Sequence, residues 1–184
     1  MKTILKITKN ELSSLFYSPI AWLILIIFTF QSGMAYADGW AEILRRQALG
    51  YSLYDVTKSL LLGWQGAISG MQENLYLYIP LLTMGLMSQE YNRGSIKLLY
   101  SSPITNRQII FGKYLSMIIY ALILIAILSI YYIFTAFTIV NIATPFVLTA
   151  LLGIFLMICA YAAIGLYMST LTSYQVVAAV IFLT

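Results

Sequence analysis

Apolar positions gather in this chain into long unbroken blocks. Residues 19–37 carry no charge, and neither does any residue from Tyr114 to Thr184, a run of 71. A helix rises about 1.5 Å per residue, so about 20 apolar residues cross a hydrocarbon layer. The first block is therefore one span, whereas the second is enough for two spans with a third begun. Polar breaks at 141–145 and 169–173 divide the second block into spans over 114–140 and 146–168 and an eleven-residue remnant, 174–184. Between the blocks, 68–88 reads as another span, interrupted near its start by Gln72 and Glu73 and containing Pro80. A proline inside a membrane helix is tolerated when neighbours satisfy the freed carbonyl, and it marks a bend. The pattern predicts an all-α, polytopic transmembrane helical bundle with four complete spans plus the start of a fifth. Eleven residues cannot cross, so the chain is expected to be a piece of a longer protein.

Residues 1–18 follow a different period. Ile4, Leu5, Leu12, Leu15 and Phe16 fall on one helical side, and Lys2, Lys6, Lys9 and Ser13 fall largely on the other. That is the pattern of an amphipathic interfacial helix lying in the headgroup plane. The alternative is a signal peptide, since Ala35-Tyr36-Ala37 resembles a small-residue cleavage site. The apolar run is longer than the roughly 7 to 15 residues of a signal core, however, and further spans follow. Residues 19–37 are accordingly read as a retained first span. Residues 38–67 form an outer loop whose Asp38, Glu42, Arg45, Arg46, Asp55 and Lys58 cancel in charge. Trp40, Tyr51 and Tyr54 suit its attachment to the interface. Gly66 and Gly70 make a GxxxG pair, which in so glycine-rich a connector reads as flexibility rather than helix packing. On the fourth span Gly153, Met157, Tyr161, Gly165 and Ser169 recur every four residues, a row suited to packing against another helix.

Composition agrees: 61% of the residues are hydrophobic and 9% charged, with a mean hydropathy of +0.90, far from the balance of a soluble domain. The net charge of +4 does not imply nucleic acid, because the basic residues sit at segment ends and no face gathers them. They report topology. With the amino terminus inside, seven Lys and Arg flank the spans on the inner side (Lys2, Lys6, Lys9, Arg93, Lys97, Arg107, Lys113) and three on the outer (Arg45, Arg46, Lys58), which makes loop 89–113 cytoplasmic.

Candidate chemistry is sparse. There is no histidine, and the single cysteine, Cys159, lies in an apolar run, so neither a metal site nor a nucleophile with its base can be assembled. A proton- or sodium-coupled carrier keeps ionisable groups near the midplane. Glu73 is the one candidate, near an edge, and with Pro80 it is the candidate path-lining residue. Gly112-Lys113-Tyr114 lacks the rest of a Walker A loop, so nucleotide binding is not expected in this chain. The remaining feature is the stretch 88–113, too polar to cross a membrane, with Glu90, Arg93, Lys97, Arg107 and Lys113 giving it a charge of +3. Within it, 94–100 can form a short helix that Pro103 stops. Thr105 to Gln108 then has the form of a capping box that starts the next helix. An uncharged bundle presenting one compact basic loop suits a transporter subunit driven by a separate ATPase.

The run from Pro80 to Lys113, PLLTMGLMSQEYNRGSIKLLYSSPITNRQIIFGK, resembles the ABC-2 type permeases, most closely the gliding-motility-associated subfamily. The matching positions are Pro80, Thr83, Met84, Glu90, Gly94, Ser95, Leu98, Leu99, Pro103, Gln108, Gly112 and Lys113, while Lys97 departs from the acidic residue often found in the family. The resemblance implies a six-helix permease subunit whose coupling helix docks on an ABC ATPase, with Glu90, Tyr91, Arg93, Gly94, Ser95, Ile96, Lys97, Leu98, Leu99 and Pro103 as the coupling residues. It implies a second permease subunit, identical or not, and a cytoplasmic (inner) bacterial membrane. The chain itself is expected to hold no cofactor, ATP and magnesium being bound by the partner. Two rivals are a non-transporting membrane anchor or scaffold subunit, and a small channel. The channel needs a continuous polar stripe, and Ser116, Ser129, Thr135, Thr138 and scattered tyrosines do not supply one.

Overall fold

The computed structural model describes residues 2–50, 56–63, 66–87, 105–139, 144–171 and 174. Among these, 92% are helical and none lies in a strand, as the apolar blocks require. The elements are α1 (Lys2–Tyr17), α2 (Pro19–Ala48), a π-helical segment (Lys58–Leu62), α3 (Ser69–Thr83), α4 (Asn106–Thr138) and α5 (Thr144–Leu171).

Local chemistry fixes several of the boundaries. Ser18 separates α1 from α2, and its Oγ accepts a hydrogen bond from the Ile20 N–H at 3.3 Å, with Pro19 following as the first helical residue. Serine capping proline is a favoured helix start, because proline has no amide to leave unsatisfied. At the far end of α2, Gly50 takes φ +78° and its N–H donates to the Gln47 carbonyl, the left-handed closure that glycine adopts without a Cβ clash. Arg45 and Arg46 occupy the last turn, complementing the carbonyl end of the helix dipole. α2 thus continues eleven residues past Ala37, where the apolar run stops. The amphipathic pattern Asp38, Glu42, Arg45 with Ile43 buried carries the helix on into the stretch read as loop.

Among the described residues, three helices are long and apolar enough to cross a membrane: α2, α4 and α5. The expected second span is represented by α3, whose 15 residues reach only about 22 Å. The chain turns at Met84 before a last helical stretch at 85–87, where side chains from other elements bond the carbonyls of Met84 and Leu86. The expected fifth span lies outside the described residues apart from Tyr174.

The chain divides into two compact units. The first comprises Met1–Ile24, Tyr76–Leu122 and Met157–Thr184, the second Leu25–Leu75 and Ile123–Leu156. The core of the first is built on Ala21, Ile79, Leu82, Met117, Tyr120 and Ile158, and the Tyr120 hydroxyl donates to the Ala21 carbonyl at 2.8 Å. The second is centred on Phe28, Leu60, Leu61, Leu75, Leu124, Leu128 and Val147. Outward-facing positions are also apolar, including Leu23, Ile26, Phe30, Leu122, Ile130, Phe134, Leu152 and Leu156. A surface as greasy as the interior is what lipid, not water, tolerates.

Candidate functional site: a polar junction at the base of the central loop

In the first unit, polar side chains from three elements converge on 84–87, the last described residues before 105. Lys113, on α4, is 1% exposed. Its Nζ donates to Glu11 Oε1 of α1 at 2.8 Å and to the Leu86 carbonyl at 2.7 Å. An ammonium buried among apolar helices is tolerable only when paired and hydrogen-bonded, and here it has both kinds of partner. Ser169, on α5 and fully buried, completes the arrangement. Its hydroxyl donates to the Met84 carbonyl and accepts from the Met87 N–H, each at 3.0 Å. The end of a helix leaves carbonyls without intrahelical donors; here Lys113 and Ser169 supply them.

Close backbone approach makes the junction possible. A Cβ on Gly112 would lie 2.6 Å from Ile7 Cγ2, so only glycine lets α1 settle on α4 there. The buried Thr8 hydroxyl shares its proton between the Ile4 carbonyl (2.9 Å) and the Gly112 carbonyl (3.1 Å). On the other side, Thr83 Oγ1 occupies the place where a Cβ of Gly165 would stand, which brings α3 against α5. A pocket of about 70 Å³ borders the junction, lined by Glu11, Ser14 and Ser18 on one wall and Leu82, Met84 and Leu86 on the other.

The sequence places Lys113 in the basic loop, counted toward topology, and gives Glu11 no role. The structure brings these two together across 102 positions. One signal was available: Glu11 is the single acidic residue before Asp38, and Lys113 is the last charge in the chain. Of the four-residue row on α5, Gly165 and Ser169 pack as expected, whereas nothing lies within 4 Å of a Cβ at Gly153. The capping box is half formed: Gln108 Oε1 accepts from the Thr105 N–H at 3.3 Å. Glu73 is exposed on α3, and Pro80 is buried. Glu90, Tyr91, Arg93, Gly94, Ser95, Ile96, Lys97, Leu98, Leu99 and Pro103 lie outside the described residues.

The second unit contains a different polar cluster. Tyr36 Oη and Thr135 Oγ1 lie 3.0 Å apart, and Tyr131 Oη donates to the Thr29 carbonyl at 3.2 Å and lies 3.4 Å from Ser32 Oγ. The Tyr36 ring stands 5.1 Å from that of Tyr131, with Trp40 and Phe134 edge-on. The hydroxyls of Ser116, Ser129, Thr135 and Thr138 bond carbonyls three or four residues back on their own helix. They do not form the stripe a channel needs.

Described residues that are almost entirely helical, with three helices long and apolar enough to cross a membrane, place the chain among multi-pass membrane proteins. The ABC-2 family transporter proteins match it over residues 5–184, and the chain belongs to that family. No curated protein and no solved structure matches it.

Proposed function

We infer that this chain is the membrane-spanning permease subunit of an ATP-binding-cassette transporter, close to the gliding-motility-associated permeases. It contributes to the translocation path and is driven by a separate ATPase subunit that binds ATP and magnesium. A second permease subunit completes the path, with Glu73 and Pro80 as its candidate lining residues here. The chain sits in the bacterial inner membrane with its amino terminus inside, so that loop 89–113 meets the ATPase.

The observation that carries this reading is the Lys113–Leu86 bond. It joins the two described flanks of the central segment at their base, so a push on 88–104 reaches α3 and α4 together. Rigid-body coupling requires such a closed base. Replacing Ile96 and Leu99 with Asp should uncouple ATP hydrolysis from transport while membrane insertion stays intact. Transport at the wild-type level in that variant would refute the docking role. Failure to co-purify with any nucleotide-binding protein would favour the anchor reading.

A further inference from the structure

The geometry of α1 assigns it two opposed tasks. At 3.6 residues per turn, Ile4, Thr8, Glu11 and Leu15 share one face about 60° wide. That face holds the bonds to Gly112 and Lys113. Lys2, Lys6 and Lys9 share a second face, centred about 160° away. All three lysines are exposed, and none makes an ion pair among the described residues. Beside them Leu5, 61% exposed, leaves an apolar flank free to enter an acyl layer while the ammonium groups stay among headgroups.

We propose that α1 binds anionic lipid headgroups through Lys2, Lys6 and Lys9, and that the Glu11–Lys113 pair transmits the lipid's charge to the base of the central loop. The partner is a negatively charged bilayer surface, because three like charges on one apolar-flanked face match it and a neutral surface offers them nothing. Each lysine near such a surface contributes about fivefold to association. The face that feels the lipid and the face that grips Lys113 belong to one four-turn helix, so a change in its seating is felt at Leu86. This rests on the permease reading only in placing α1 on the inner leaflet and in giving the loop an ATPase to regulate.

The test uses the full chain carrying Cys159→Ser and a spin label at Asn106→Cys, an exposed position at the start of α4. It is reconstituted in vesicles of phosphatidylcholine alone, or of phosphatidylcholine and phosphatidylglycerol in equal parts. The label's mobility should differ between the two vesicles. That difference should vanish in Lys2→Gln/Lys6→Gln/Lys9→Gln. It should vanish also in Glu11→Gln/Lys113→Gln, which removes both charges and keeps hydrogen-bonding groups in place. An unchanged label in the parent protein, or a response surviving the triple lysine change, overturns lipid sensing by α1. A response surviving the Glu11/Lys113 change overturns transmission through the pair. A second measurement, ATP turnover with the partner ATPase, should rise severalfold in the anionic vesicles and lose that rise in the lysine variant. Absence of any ATPase partner defeats the permease reading and leaves the spin-label result standing on its own.

Discussion

The two units solve the same problem, a polar group inside a greasy bundle, by different means. In the first, a full charge on Lys113 is neutralised by Glu11 and shared with a backbone carbonyl. In the second, neutral hydroxyls of Tyr36, Thr135, Tyr131 and Ser32 meet one another, and three of them also reach backbone carbonyls: Ser32 and Thr135 on their own helices, Tyr131 on α2. The hydroxyl arrangement degrades gradually: Ser32, Thr135 and Tyr131 each also bond a backbone carbonyl, so losing one member leaves most of the others with a partner. The charged arrangement is the more sensitive, since an ammonium that loses its carboxylate in a low-dielectric site keeps dipolar partners such as the Leu86 carbonyl but no opposite charge. The charge-bearing junction stands where the loop begins, and graded adhesion serves elsewhere.

That contrast can be broken experimentally. The largest effect is expected from Glu11→Ala, which takes the carboxylate from the buried Lys113 ammonium. Removing one partner of a buried pair costs about 3–5 kcal/mol, read as a lower thermal midpoint in detergent. Glu11→Gln/Lys113→Met should recover most of it, and failure to recover would mean that packing rather than charge is at stake. Next comes Ser169→Ala, which orphans the Met87 N–H and weakens the hold on the Met84 carbonyl, for a loss of about 2–3 kcal/mol by the same measurement. Gly165→Ala should follow at about 1–2 kcal/mol, because its new methyl meets Thr83 Oγ1 and overpacking forces the helices apart. Adding Thr83→Ala should return part of that loss. The smallest change belongs to the hydroxyl cluster: Tyr36→Phe should cost about 0.6 kcal/mol, an average interhelical hydrogen bond in a membrane. If Tyr36→Phe equalled Glu11→Ala, the distinction between the graded and the more sensitive arrangement would fail.

Much of the helical layout was legible because membrane helices announce themselves by length and lack of charge. The starts of α2 and α4 were legible too, in Ser18-Pro19 and in Thr105 to Gln108, since capping depends on neighbours in sequence. The extension of α2 to Ala48 is not legible in hydropathy, because charge at Asp38 ends the apolar stretch without ending the helix. The junction was not legible. Periodicity assigned α1 an apolar face through Ile4, Leu5, Leu12, Leu15 and Phe16; Ile4 and Leu15 do share the packed face, but its polar contacts run through Thr8 and Glu11, which an apolar pattern skips, where Gly112 lets α1 approach α4. Pairings across 82 to 102 positions are set by how helices meet, which spacing within one helix does not encode.

α4 has a mechanical consequence. Its 33 residues make a rod about 50 Å long, against a hydrocarbon thickness of about 30 Å, and no proline interrupts it. α3, by contrast, contains Pro80 and ends in the turn at Met84. Under the permease reading proposed above, a push on loop 89–113 would meet an unbroken helix on one side and a jointed stretch on the other, so Pro80 to Met87 should bend before α4 does.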